Sequence, residues 1–427
     1  MERLMQYVWQ HRLLLHTDMV TVDGRKVAIL DPGQLNTGSG PDFFNAKVSI
    51  GGDLWAGDVE IHVRASDWHR HGHDGDRAYD SVILHVVDRD DTEVRRHDGQ
   101  IIPQMVMKCA PEFHSRYHDL VDRADIDLPC AAELAAIHPL YLTDWITALA
   151  YERVYEKVDR VNAILESTVG DWEQTCYVTL ARALGFGING EPMQRLATAV
   201  PLHFLRKHSD SLLSLESLLF GQGQLLDTAP ASDPYVARLV QEHKFYAHKF
   251  GLRPLQPLGW KMGRMRPGNF PHRRVAMLAA VVAGGFRLLN RIVGLTDTDE
   301  AVRMFSAAPS GYWERHYTFG AEAPGTLGGL SRGSAESLVI NVVVPLMVAY
   351  GHSRGDEELV QRAMSMLQDL PAERNAIISM FERAGLKARD AFASQALIQL
   401  RRSYCETRKC LYCRLGHRML AARARRD

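Results

Sequence analysis

The feature that most constrains this 427-residue chain is a change in the period of its apolar residues, from two to three-and-four, between residues 110 and 140. Before it, short β-prone runs are separated by glycine turns. Val20–Val22 and Lys26–Ile29 flank Asp23-Gly24, and Phe43–Ile50 and Leu54–Val63 flank Gly51-Gly52. Asp-Gly and Gly-Gly supply the positive φ that tight hairpin turns require. Val82–Val87 is an uninterrupted apolar run of the kind a strand buried on both faces needs, and Ile101–Met107 follows a turn at Asp98-Gly99. The segment from Glu2 to Leu15 has helical spacing. From Leu140 onward the apolar residues recur every three or four positions, in Tyr141–Glu166, Glu173–Leu184, Met193–Leu205, Pro234–Phe250, Arg273–Leu289 and Ser337–Tyr350. The expectation is an α+β protein. A mostly antiparallel or mixed sheet with a short N-terminal helix occupies residues 1–110, and a larger all-α domain occupies 140–427. Residues 111–139, with Pro111, Pro129 and Pro139, form the junction.

Two domains also suit the length, since one core rarely serves so many residues. No apolar stretch reaches the ~20 residues that cross a bilayer, and Met1-Glu-Arg-Leu lacks the pattern of a signal peptide. These readings give a cytoplasmic protein with no membrane partner. The net charge of −1 conceals a local asymmetry: residues 36–100 hold 13 acidic and 7 basic side chains, and residues 401–427 hold 2 acidic and 9 basic. A basic terminus is compatible with nucleic acid or with a solvated helix.

Residues suited to chemistry gather in the acidic segment. In Gly57-Asp-Val-Glu-Ile-His62, strand alternation sends Val59 and Ile61 to one face and Glu60 and His62 to the other. Asp42 opens the preceding strand, with Asn45 as a candidate substrate contact, and a hairpin brings the Asp42 carboxylate near Glu60. Two carboxylates on adjacent strands can hold Mg²⁺ or Mn²⁺ beside a phosphate. Immediately afterwards, Trp68-His-Arg-His-Gly-His-Asp-Gly-Asp76 offers His69, His71 and His73, residues suited to Zn²⁺, Mn²⁺ or iron, or to contact with substrate phosphate. The bland alternative for both is a polar surface with solvated side chains. His85, inside the apolar strand, reads as a core histidine.

The order Pro41-Asp42 followed by Glu60-x-His62 resembles the PD-(D/E)xK nuclease superfamily over residues 1–107, with His62 where that superfamily has lysine. The resemblance implies a restriction-endonuclease-like sheet, a metal-dependent nuclease or phosphodiesterase activity through Asp42, Glu60 and His62, and a DNA or RNA substrate. Glu2 matches an extra acid that some members carry. A catalytically inactive nucleic-acid-binding scaffold is the alternative, and a zinc-type hydrolase using the His69–Asp76 loop is a third reading. The wording of Asp31-Pro-Gly-Gln-Leu-Asn36, Gly40-Pro-Asp-Phe-Phe-Asn-Ala46, Gly57–His62, Ser66-Asp-Trp68 and Arg266-Pro-Gly-Asn-Phe-Pro271 resembles the bacterial domain of unknown function 2851 family nearly end to end. That likeness implies a bacterial source and no particular activity.

Two further groups stand in the helical half. Cys405-x4-Cys410-x2-Cys413-x3-His417 has the spacing of a structural zinc site with three thiolates and one imidazole. An iron–sulfur cluster is the rival, with Cys109, Cys130 or Cys176 as fourth ligand; three unmetallated thiols are the plain alternative. Arg273 and Arg274 follow an Arg-rich loop into a helix, where they either hold substrate phosphates or pair with the acidic sheet.

Overall fold

A computed structural model describes the chain except residues 14–18, 37, 110–113, 116, 123–127, 307, 310 and 422–427. Leu15, Pro111 and the terminal Arg423, Arg425 and Arg426 therefore lie outside the described residues. By Cα packing the chain forms two compact units. Unit 1 comprises 1–145, 383–386 and 400–427, and unit 2 comprises 146–382 and 387–399. The sequence reading assigns 140–427 to one helical domain, whereas the cysteine-bearing segment packs with the sheet in unit 1.

Unit 1 is a mixed sheet behind a short helix, α1 (Glu2–Gln10). Its strands are β1 (Val27–Asp31), β2 (Gln34–Leu35), β3 (Phe43–Ile50), β4 (Asp53–Arg64), β5 (Val82–Arg89) and β6 (Gln104–Val106). They run in the order β1-β3-β4-β5-β6, with β2 pairing to β3. The β3–β4 hairpin turns at Gly51-Gly52, whose φ values of 65° and 99° explain the two glycines. The Asp23-Gly24 turn closes only a single bridge, Val20 to Lys26; the strand that follows pairs with β3 instead.

β4, β5 and β6 are parallel, so the sheet departs from a meander. Parallel strands need covered faces. β5 accordingly is buried from Val82 to Val87, and β4 buries Val59, Glu60, Ile61 and His62 together. One face of β4 carries Val59 and Ile61 into the apolar core, both at zero exposure. The polar face is covered by α1 and by the connection between β4 and β5. That connection contains a helical turn, α2 (Asp67–Arg70), and the buried Trp68 and Tyr79. Glu60 and His62 thus line an enclosed layer, with 5 % and 1 % exposure, where an acidic solvent face was the plainer expectation.

α3 (Pro139–Ser167) carries the chain into unit 2, whose described residues are mainly helical and include a two-stranded ribbon, His316–Thr318 with Ala321–Glu322. The expected helix over 193–205 breaks at Pro201, and that over 273–289 ends at Ala283 before Gly284-Gly285. The stretch Arg332–Arg354 is long and apolar enough to cross a membrane, and 67 % of its most apolar window is buried.

Candidate metal centre on the sheet

β3 and β4 bring Asp42 and Glu60 together. The register pairs Phe43 with Val59, and the Asp42 backbone N–H donates to Glu60 Oε2 at 2.9 Å. Asp42 Oδ1 accepts from Gln6 Nε2 on α1 at 2.9 Å, and Oδ2 accepts from the Ile61 N–H at 3.1 Å. Burial, and then the nearby Glu60 charge, push the Asp42 carboxyl up to about 7. Burial and Glu60 also raise Glu2, which places this α1 acid within the field of the same cluster.

The histidines complete the layer. Ligand nitrogens of His62, His71 and His73 all lie within 4.8 Å of one another. Glu60 Oε1 is 3.4 Å from His62 Nε2 and 3.3 Å from His73 Nε2, and His62 Nε2 is 3.1 Å from His71 Nδ1. His62 and His73 are buried, while His71 is exposed, so the cluster opens to solvent along one edge. The sharp turn that returns His73 to the sheet uses Gly72 at φ 76°, and the His73 ring stacks on Tyr79 at 3.8 Å.

A chain of hydrogen bonds behind the cluster sets the state of His62. Gln104 Nε2 donates to Asp90 Oδ1 (2.8 Å) and to the Thr92 carbonyl (3.0 Å). Its Oε1 therefore faces His85 Nδ1, 3.0 Å away, as an acceptor. His85 is held neutral, since burial lowers it to about 4, so with a proton on Nδ1 its Nε2 is an acceptor too. His62 Nδ1, 2.9 Å from that atom, must then be the donor. The proton of neutral His62 is thereby committed to Nδ1, and its Nε2 lone pair points at Glu60 Oε1 and His71. Burial, reinforced by the neighbouring His85 and His73, lowers His62 to about 2. A lone pair facing a carboxylate oxygen repels it unless a proton or cation lies between them. His71 can supply a donated proton; a metal ion is the stronger partner. The arrangement fits the rule that a metal-binding imidazole has its other nitrogen oriented by a second group.

The remaining expected residues take other places. Asn45 lies at a β-bulge with φ 56°; its N–H donates to Asp58 Oδ1 at 3.1 Å, and it is exposed. His69 is half exposed, 3.6 Å from Asp74, and is not part of the histidine group. Arg273 and Arg274 are buried within unit 2 at 3 % and 4 % exposure. Arg273 donates to the carbonyls of Trp313 and Gly328, and Arg274 to Asn269 Oδ1. They brace unit 2 from within, which corrects their assignment as phosphate ligands. The three sulfurs of Cys405, Cys410 and Cys413 do not close into a compact group. Among the described residues, the group of three whose ligand atoms all lie within 4.8 Å of one another is His62, His71 and His73, with no cysteine in it. His417 Nδ1 meets the Tyr7 hydroxyl at 2.5 Å, with its ring 4.6 Å from that of His11.

Sequence reasoning missed Gln6, His85 and Gln104 as parts of the site. The available signal was the polar His85 in the middle of an otherwise apolar central strand.

Fold and site together define an α+β protein whose mixed sheet carries an enclosed histidine–carboxylate cluster. Residues 2–376 match the family described as "Protein of unknown function (DUF2851)", and the chain belongs to that family. No curated protein and no solved structure matches it.

Proposed function

We propose that the protein is a metal-dependent hydrolase of phosphodiester bonds, its metal held by His62, His71 and His73 beside Glu60. The observation that carries this reading is the convergence of three imidazole nitrogens beside a carboxylate, with the His62 lone pair aimed inward. Imidazole-rich sets favour Zn²⁺, Mn²⁺ or Fe²⁺ over Mg²⁺, which moves the centre from the Asp42–Glu60 pair toward the histidines. Three protein nitrogens leave positions for water, and a bound divalent ion would lower the pKa of that water toward neutrality. Glu60 lies where it can accept a proton from such a water. Asp42, raised to about 7, orients Glu60 through its backbone N–H and can exchange a proton near neutral pH. The phosphodiester assignment draws support from the order Asp42, Glu60-x-His62 on adjacent strands.

The test is cleavage of single- and double-stranded DNA and RNA with Mn²⁺ or Zn²⁺, alongside metal content and calorimetric binding. Wild type should bind about one ion and cleave at least one substrate, and exposed His71→Ala should lose both without losing the fold. Metal binding without cleavage leaves a metal-binding scaffold. Neither binding nor cleavage ends the proposal.

A further inference from the structure

Unit 1 takes back residues 400–427 after the whole of unit 2 has intervened, and the cysteines sit where this return is made. We propose that Cys130, Cys405, Cys410 and Cys413 form one four-thiolate metal centre, built for an iron–sulfur cluster, that fastens the C-terminal segment to the sheet-bearing unit. The inference is independent of the hydrolase reading.

Cys130 stands at the start of the helical turn Ala131–Ala136, and Cys410 begins the turn Cys410–Tyr412. Cys410 Sγ donates to the Leu120 carbonyl at 3.3 Å, which places the terminal knuckle beside the segment leading to Cys130. Each of the four thiols is close enough to the other three to feel their charge: Cys405 feels Cys130, Cys413 and Cys410; Cys130 feels Cys413 and Cys410; and Cys410 feels Cys413. Cys109 and Cys176, the other candidates for a fourth ligand, feel carboxylates and no thiol. Metal binding at thiols so placed would release their protons.

Around Cys413 the protein is arranged to receive a thiolate. The N–H groups of Leu415 and Gly416 and the Trp145 indole act on its sulfur. Trp145 is 5 % exposed and its indole nitrogen has no hydrogen-bond partner, which leaves it a donor for the nearby Cys413 sulfur. N–H groups directed at cysteine sulfurs are a feature of iron–sulfur ligation. Gly416 is required here because a Cβ would lie 2.2 Å from the Cys410 carbonyl oxygen. Arg414 pairs with Asp144, and Tyr404 packs against Trp145 at 5.3 Å, so both flanks of the knuckle are tied to the end of unit 1.

The spread of the thiols selects the metal. A single tetrahedral zinc with Zn–S of ~2.3 Å holds its sulfurs roughly 3.8 Å apart. No three of these sulfurs all lie within 4.8 Å of one another, as the histidine nitrogens do, and a cubane, with an iron behind each thiolate, has the larger span. His417, bound to Tyr7, is displaced from the ligand set by Cys130.

The experiment is anaerobic purification of the full-length chain, with iron, sulfide and zinc counted per chain and visible and Mössbauer spectra recorded. About four irons and four sulfides are expected in wild type and in His417→Ala, and loss of both in Cys130→Ser and Cys413→Ser. Should Cys130→Ser fail to fold, alkylation of native wild type before and after chelation, mapped by mass spectrometry, replaces it. Cys130 should become reactive together with Cys405 and Cys410 only after chelation, and Cys109 should be unaffected. About one zinc per chain in place of iron overturns the cluster. Metal retained in Cys130→Ser, or Cys130 alkylated equally in both states, overturns its place as ligand. No metal after reconstitution with iron and sulfide overturns the centre.

Discussion

Gln104 Oε1 lies 3.0 Å from His85 Nδ1, and through this contact a residue two strands away fixes which nitrogen of His62 carries its proton. The parallel register makes the relay possible, because His85 pairs with Glu60 on one side and with Gln104 on the other. Gln104→Leu removes the acceptor and frees His85 to take either tautomer, so that His62 can present N–H instead of a lone pair. Metal affinity should fall by about 10–100-fold, the usual cost of losing an orienting partner. Calorimetry or chelator competition measures it; Gln104→Glu, which keeps an acceptor, should fall less. Equal affinity in Gln104→Leu and wild type would sever the relay from the metal centre.

Gly57 marks how closely β5 approaches β4. A Cβ there would sit 2.4 Å from Ile83 Cγ2 and 2.7 Å from the Ser81 carbonyl oxygen. The latter is backbone and cannot swing aside, so Gly57→Ala must push the strands apart. The expected loss is about 1–3 kcal/mol, the range for overpacking a filled site, with weaker metal binding because His85 on β5 supports His62 on β4. Denaturant unfolding followed by tryptophan fluorescence gives the first quantity.

The β3–β4 hairpin and the shared layer of Glu60 and His62 were legible in the sequence, because turn chemistry and strand parity are local. The parallel pairing of β4, β5 and β6 was not, since it depends on the connection through 65–81 folding back over the sheet. That fold also decides burial: it covers Glu60 and His62 and delivers His71 and His73, which converts a stretch of alternating histidines into a cluster. The helix end at Phe250 was readable from the glycine that follows, whereas the expected helix over 273–289 ran past Gly284-Gly285 and its end at Ala283 was not. The buried roles of Arg273 and Arg274 were not, because the carbonyls they satisfy come from residues 313 and 328. Cys130 could be offered only as one of three fourth ligands, for nothing in its own surroundings ties it to residues 275 positions away.

Unit 1 should lose stability in mild acid. His85 is buried at 0 % exposure and lowered from 6.5 to about 4. A histidine depressed in the folded state contributes stability that is present above its ordinary value and lost as pH falls toward the folded one. The loss should therefore develop between about pH 6.5 and about pH 4, on the order of 3 kcal/mol over that span. Hydrogen exchange of residues 82–89 should accelerate in this window beyond the intrinsic change, and His85→Asn should flatten the dependence. A flat response in wild type would mean that His85 is charged without cost.

Unit 2 carries a buried acid of the opposite sign. Glu216 has 0 % exposure; Tyr235 donates its hydroxyl to Oε2, while Oε1 has no hydrogen-bond partner. Burial raises the carboxyl to about 7, against the lowering effect of Tyr235 and Trp313. A carboxyl raised in the folded state favours folding while it is protonated. Its contribution is complete below its ordinary value of 4.5 and declines as pH rises through about 7. Burial gives the structural reason, because two neutral donors, Tyr235 and Trp313, do not offset the lost hydration of a carboxylate. Glu216→Gln keeps the shape and an acceptor for Tyr235 while removing the ionisation. Hydrogen exchange of residues 212–222 should slow relative to wild type at pH 8, and the two proteins should converge at pH 5. Wild type more protected than Glu216→Gln at pH 8 would show that the carboxylate is stabilised where it lies, and would reverse the sign assigned to this residue.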